Sequence, residues 1–326
     1  EKEYRRIEEE ILKPNILIVG GTGVGKSSLI NLCFGKDIAS YGVGRPDTEN
    51  TKAYEDPDIP LVLFDTKGYE IGSEEQENFL KEILAYAVED KDKDIKKQIH
   101  IVWYCIQSSS HRITDFDREM MAEFKKNNKP LAIIFTKCDM VTDDEIEKLK
   151  SVIKKDKKLF NIPIFRSTIE NLPDLGHLDL KELLVWSTEN LAVSLRLAFV
   201  RAQKLHLDLK KRQANKIVIQ HVAGAGLIGM APIPFSDAPI LIANQAVMFA
   251  RVFYLYDMKS LLLKIEPLIS STVLGAISSN VGVWLVGNIL KLIPGVGTIV
   301  GSMVSGSIAA LITLAIGFAC SEICYR

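Results

Sequence analysis

Four short apolar runs punctuate the first half of the chain: Asn15-Ile16-Leu17-Ile18-Val19, Leu61-Val62-Leu63-Phe64, Leu131-Ala132-Ile133-Ile134-Phe135 and Ile162-Pro163-Ile164-Phe165. The first three are apolar at successive rather than alternate positions, the pattern of strands buried on both faces. Between them apolar residues recur at helical spacing, beginning with Ser28-Leu29-Ile30-Asn31-Leu32. Strand and helix in alternation predict an α/β domain over residues 1 to about 195, its parallel-dominated sheet flanked by helices. Glu1 to Lys13 predicts an additional N-terminal amphipathic helix, with Tyr4, Ile7, Ile11 and Leu12 turned toward a partner surface. From Leu178 to about Lys216 a long helical pattern is rich in Leu, Ala, Glu, Lys and Arg. Leu180, Leu183, Leu184 and Leu191 would cover the sheet. The continuation through Leu197, Ala198, Val200, Leu205 and Leu209 predicts one unbroken connector into a second domain.

That second half of the chain has a different polarity. Residues Ile217 to Arg326 hold nine charged side chains, whereas the first 216 residues hold 72. The pattern predicts an all-helical hydrophobic domain over 196–326. Ile217 to Met230 is apolar and rich in small residues, and ends at Pro232-Ile233-Pro234. Ser236 or Asp237 could cap a helix with Pro239 in its first turn, running to about Tyr256. Residues 267–290 and 293–321 contain no charge at all. About 20 apolar residues cross a hydrocarbon core, so both qualify by length as a membrane hairpin over 267–321. Gly297, Gly301, Ser305 and Ala309 would form a ridge of small residues suited to close helix contact. A buried helical bundle would show the same pattern, and so would a hairpin sheltered in one state and released in another.

The chemistry is concentrated after the first strand. Gly20-Gly21-Thr22-Gly23-Val24-Gly25-Lys26-Ser27 lies between a strand and a helix, where backbone N–H groups and the helix N-terminus can close around phosphate oxygens. Gly21, Thr22, Gly23, Val24 and Gly25 would form the cradle, followed by Lys26, Ser27 and Ser28. Lys26 would neutralise the β- and γ-phosphates, the one catalytic charge the loop itself supplies, and the Ser27 hydroxyl would sit on Mg²⁺. A nucleoside triphosphate is the expected ligand.

Three later motifs resemble those of GTPases. Asp65-Thr66-Lys67-Gly68 ends the second run, so that Asp65 would support Mg²⁺ and the Gly68 N–H would meet the γ-phosphate. Thr136-Lys137-Cys138-Asp139 resembles the guanine-reading motif. There the Asp139 carboxylate would accept two bonds from guanine, and the Lys137 stem would pack along the base. Arg166-Ser167-Thr168 resembles the last guanine loop, making Ser167 and Thr168 candidates for the base site. A threonine for Mg²⁺ and the γ-phosphate should precede Asp65. Thr48 is favoured because Pro46 sets an extended approach, with Thr51 as the alternative.

From Asn15 to Thr168 the chain resembles Era-like and septin-like small GTPases, and the phosphate loop is nearest the septin and immune-associated forms. That resemblance implies a P-loop fold, GTP/GDP with Mg²⁺ as cofactors, and catalysis by positioning and charge neutralisation without a side-chain nucleophile. Gly23 stands where potassium-dependent members carry asparagine, which gives no support for potassium activation. Tyr69 stands where many members carry a water-orienting glutamine, and Gln76, several residues later, is not assumed to replace it. Intrinsic hydrolysis is therefore expected to be slow, awaiting a homodimer, an activating protein or a membrane. Residues 198–259, with the Ala-Pro-Ile-Pro-Phe turn and the later Ile-Pro-Gly-Val-Gly run, resemble a small hydrophobic helical domain found downstream of Era-like GTPases, chiefly in bacteria.

Composition narrows the remaining choices. Net charge is −1, so no global basic field invites nucleic acid. Lys154-Lys155-Asp156-Lys157-Lys158 and Lys210-Lys211-Arg212 read as solvated helix faces. Cys33, Cys105, Cys138, Cys320 and Cys324 lack metal-ligand spacing and read as reduced thiols in a cytoplasmic setting, peripheral to or inserted in a membrane. The chain opens on glutamate, so residues upstream of Glu1 are expected. Beside a membrane-coupled GTPase switch stand three alternatives: a septin-like assembly module with negligible turnover, a host-targeted effector GTPase, and an RNA- or ribosome-associated GTPase.

Overall fold

The computed structural model describes residues 2–35, 45–46, 51–56, 58–66, 75–88, 94–173, 176–228, 238–262 and 307–326. The chain forms two compact units, Leu12–His206 and Glu1–Ile11 with Leu207–Arg326.

Among the described residues of the first unit, seven strands form one sheet: β1 (Asn15–Val19), β2 (Arg45–Pro46), β3 (Thr51–Asp56), β4 (Ile59–Thr66), β5 (Ile101–Gln107), β6 (Leu131–Thr136) and β7 (Ile164–Arg166). Their order is β2-β3-β4-β1-β5-β6-β7. β4, β1, β5, β6 and β7 run parallel, and β2 and β3 add an antiparallel edge. Every residue of β1 is buried, as its unbroken apolar run requires.

The side chains of the central strands divide between two faces with period two. Leu17, Val19, Tyr104, Ile106, Ile133 and Phe135 share a core with α3 (Glu75–Val88), α4 (Asp115–Lys126) and α5 (Asp143–Lys155). On the other face Trp103 stacks on Phe34 of α2 (Lys26–Phe34) at 5.8 Å. Phe34 in turn meets Phe199 of α7 (Val193–Ala202) edge-on at 6.0 Å. The Trp103 indole donates to Ser187 Oγ of α6 (Leu180–Asn190) at 3.1 Å, so its buried N–H is satisfied. The predicted fold class, a P-loop α/β domain followed by a helical region, is the one observed.

The unbroken connector is corrected. The chain from Leu180 to Ile228 is three helices, α6, α7 and α8 (Leu207–Ile228). At the first break Leu191 is extended, and Arg196 Nε donates to its carbonyl at 2.9 Å while Nη2 reaches Glu189 O at 3.1 Å. At the second, the buried Gln203 amide replaces backbone partners. Its Nε2 donates to His206 O at 3.0 Å and its Oε1 accepts the His206 N–H at 2.8 Å. Lys204 N also donates to Cys33 O at 2.9 Å, tying this turn to the end of α2. Helical periodicity at Leu197, Ala198 and Val200 was a true signal, but side chains took over the backbone's hydrogen bonds at both joints.

The second unit packs α8 against α9 (Ala238–Tyr256) and α10 (Ser307–Tyr325), with α1 (Lys2–Glu10) against α9. Tyr4 is buried edge-on to Tyr254 at 5.8 Å, and Lys259 pairs with Glu8 at 2.8 Å. Polar pairs run along the helix contacts: Tyr325 with Asp208, Ser321 with Asn215, Gln245 with Thr313 and His221 with Asn244. Among the described residues no helix is long and apolar enough to cross a membrane. Ser236, Asp237 and most of the expected hairpin over 267–321 lie outside the described residues.

Candidate functional site

The phosphate loop leaves β1 through Gly20, where a Cβ would stand 2.5 Å from the Cys105 carbonyl oxygen. No side chain fits that approach. At its far end Gly25 is left-handed (φ 103°) and caps α2, whose first turn carries no acidic residue. The N–H groups and positive end of α2 therefore face the loop without a carboxylate from the helix's own first turn. Lys26 curls back over this loop and is only 7% exposed. Its Nζ donates to Gly20 O at 2.9 Å and to Gly21 O at 3.1 Å. Burial pulls its pKa below the ordinary lysine value, while the nearby Asp65 carboxylate opposes that shift.

Thr22, Gly23, Val24, Gly25, Lys26, Ser27 and Ser28 line a cavity of about 420 Å³ together with Tyr54, Asp65 and Thr66. Most of the predicted loop thus borders the same void as the predicted carboxylate. The parallel pairing of β1 with β4 does it: Ile18 stands beside Asp65 in register. Ser27 and Asp65 are hard oxygen donors on one cavity, the type of set that suits Mg²⁺. Gly21 and Thr22 also border a second cavity of about 340 Å³ with Gln107, Arg112 and Asp117.

The Thr136–Asp139 segment is bonded to the glycine-rich loop after β1. The Thr136 hydroxyl bonds to Val24 O and Ile106 O. Lys137 adopts a left-handed backbone (φ 55°), and its side chain reaches back to the loop. Its Nζ donates to Gly23 O at 2.8 Å and to Gln107 Oε1 at 3.0 Å. Asp139 is exposed, and the buried Thr168 hydroxyl donates to its Oδ1 at 2.6 Å. Ser167 is buried too, with its N–H on Phe135 O at 2.7 Å, and its carbonyl accepts from Cys138 N at 3.1 Å. Burial raises the Cys138 thiol, against hydrogen bonds from Ser108 and Ser167.

Thr48, Gly68 and Tyr69 lie outside the described residues. Thr51 opens β3 and pairs in register with Thr66. Two residues that line the cavities, Tyr54 and Gln107, carried no sequence motif of their own, nor did Asp179, the partner of Arg166. Tyr54 reaches the cavity through the antiparallel pairing of β3 with β4, a register that no local motif encodes. Gln107 closes β5, and its position at a buried strand's C-terminal end was the available signal. Asp179 is joined to Arg166 across 13 residues of sequence.

The sheet and its flanking helices form a P-loop GTPase fold. Residues 15–137 match the 50S ribosome-binding GTPase family. The chain is 27% identical over 182 residues to an uncharacterized protein of Methanocaldococcus jannaschii, covering 52% of this chain and 95% of that one. It is 29% identical over 145 residues to the probable GTP-binding protein EngB of Aquifex aeolicus, covering 44% of this chain and 75% of the relative. Among solved structures it is similar to translation elongation factor SelB of Methanococcus maripaludis in complex with the GTP analogue GppNHp, at 15% identity and a TM-score of 0.36. That match covers 56% of this chain and 35% of SelB, so the chain spans about a third of that factor's length. GTP or GDP with Mg²⁺ is the usual cofactor of such GTPases.

Proposed function

We propose that this chain binds GTP with Mg²⁺, hydrolyses it slowly, and couples nucleotide state to its hydrophobic helical unit at a membrane surface. The observation that carries the nucleotide part is the joining of two motifs: Lys137 spans Gly23 and Gln107, and Thr136 holds Val24, so base-reading and phosphate-binding segments form one bonded frame. Lys26 would exchange two loop carbonyls for phosphate oxygens. Ser27 and Asp65 would hold the metal, with Thr48 completing the set. Magnesium supplies charge neutralisation at the phosphates; the chain's own groups bind, orient and exclude water. Asp139, aligned by Thr168, would select guanine.

Slow turnover rests on Tyr69, which cannot orient water as a glutamine amide does. The membrane part rests on the low charge of residues 217–326. It is tested by liposome flotation with GDP or a non-hydrolysable GTP analogue, with turnover recorded in the same tubes. Flotation, with turnover rising on lipid, is expected. A chain that stays at the bottom of the gradient in both states overturns the membrane coupling and leaves the nucleotide reading standing.

A second reading, a ribosome-associated GTPase, is favoured by the family match over residues 15–137. Co-sedimentation with large ribosomal subunits in the presence of the GTP analogue, absent with GDP, would replace the membrane reading with this one.

A further inference from the structure

Downstream of the guanine-reading segment the chain makes a short excursion and returns to its own starting point. β7 ends at Arg166, and α6 begins after Asp179. Those two residues are joined by four hydrogen bonds. Arg166 Nε and Nη2 donate to Asp179 Oδ2 and Oδ1, each at 2.9 Å. The Arg166 N–H donates to Asp179 Oδ2 at 2.9 Å, and the Asp179 N–H returns to Arg166 O at 3.0 Å. A bidentate guanidinium–carboxylate pair is geometrically stiff, and backbone bonds on both sides stiffen it further.

Within the loop so closed, Leu172 and Gly176 exchange both backbone bonds, at 2.9 and 2.8 Å. This turn delivers His177 to Thr168: His177 Nδ1 lies 3.1 Å from the Thr168 carbonyl oxygen. Its partner being a carbonyl, Nδ1 carries the hydrogen and donates. The Thr168 hydroxyl donates to Asp139 Oδ1 at 2.6 Å and accepts from the Glu170 N–H at 3.1 Å. That hydroxyl therefore acts as donor and acceptor at once, and Asp139 has one oxygen fixed by it. Asp139 is exposed, and the loop behind Thr168 holds its direction.

We propose that His177 and the Arg166–Asp179 pair are positioning residues for guanine recognition, orienting Asp139 through Thr168. This rests on the reading of Asp139 as the guanine-selecting carboxylate. Guanine offers that carboxylate its N1–H and its exocyclic amine, whereas hypoxanthine offers N1–H alone. Correct alignment therefore adds more to the binding of GDP than to that of IDP. Loss of alignment costs GDP more than IDP; loss of general stability costs both alike.

The test is stopped-flow displacement of fluorescent GDP and IDP from the full chain with Mg²⁺, for wild type, His177→Ala, His177→Asn and Asp179→Asn. Loss of one positioning bond predicts that His177→Ala releases GDP roughly tenfold faster, with IDP release changed much less. His177→Asn, whose amide can donate in place of Nδ1, restores most of the preference. Asp179→Asn moves the GDP/IDP ratio in the same direction as His177→Ala and supplies the answer if the alanine variant does not fold. Variants that release GDP at the wild-type rate, or that speed both nucleotides by one factor, overturn the inference. Wild-type protein that binds neither nucleotide removes the guanine reading itself, and this inference with it.

Discussion

Lys26 is a buried ammonium held by its own loop. Two carbonyls, of Gly20 and Gly21, take the place that phosphate oxygens would take, and Asp65 supplies an opposing charge. The lysine is thereby kept inside the cavity, with its ordering cost met before any ligand arrives. Lys26→Ala should weaken GTP binding by roughly tenfold to a hundredfold, the loss expected for a charge-assisted contact, while leaving the melting temperature near that of wild type. Calorimetric titration with a GTP analogue checks it, and unchanged affinity would contradict the assignment. Asp179 makes a second residue-scale prediction. Burial alone would raise its pKa, but the Arg166 side chain, the Arg166 backbone N–H and the guanidinium charge outweigh burial and leave it depressed. A depressed folded-state pKa contributes stability above the ordinary aspartate value, and that stability is lost as pH falls through the lowered value. Urea unfolding across the acid range should show a shallower acid loss in Asp179→Asn than in wild type.

At the scale of elements, the helices that frame the site start in a defined way. Thr114 and Asp117 form a reciprocal capping box at α4, and Thr142 and Glu145 form another at α5, directly after the Thr136–Asp139 segment. The turn between α7 and α8 is instead shaped by the Gln203 side chain, beside the Lys204 N–H bond to Cys33 O. Gln203→Ala would deprive the His206 N–H and carbonyl of these bonds in a buried turn, and should cost about 1–3 kcal/mol. Differential scanning calorimetry would read it as a lowered midpoint; an unchanged midpoint would contradict the role given to the amide. In the helical unit Gly317 of α10 has no room for a methyl group, because a Cβ would stand 2.6 Å from Val218 Cγ1 and 3.0 Å from Met248 Sδ. Gly317→Ala should therefore destabilise by about 1–3 kcal/mol despite its better helix propensity. A variant more stable than wild type would show that the three helices do not meet there.

Element boundaries are also where the sequence stops being legible. The phosphate loop could be read because its glycines, lysine and serine are contiguous and need only a strand before and a helix after. The Asp65 and Asp139 segments could be read because each closes an apolar run. Tyr54 and Gln107 reach the cavities through strand register, and Asp179 reaches Arg166 through a 13-residue closure, neither of which local spacing contains. The helix breaks at Leu191 and Gln203 carry neither glycine nor proline, so periodicity ran straight through them. Their causes are an arginine capping carbonyls from five residues downstream and a glutamine acting as backbone.

For the whole molecule, the charge-poor stretch 217–326 falls within one of the two units, which also holds the charged Glu1–Ile11 segment and the start of α8. The unit holding the candidate site is an open sheet with its cavity at the C-terminal ends of β1 and β4, the place where such sheets bind ligands. The helical unit is poor in charge only from Ile217 onward, and it carries polar pairs between its helices. The GTP reading and the inference about His177 both depend on the first unit reading guanine. The most direct measurement is the nucleotide preference of Asp139→Asn. An asparagine amide offers one acceptor and one donor, the complement of xanthine's N1–H and C2 carbonyl, whereas the aspartate offers two acceptors to guanine. The variant should lose most of its affinity for GDP and gain affinity for XDP, with Lys26 still required for both. A variant that binds GDP as tightly as wild type, and XDP no better, would contradict guanine recognition at this site.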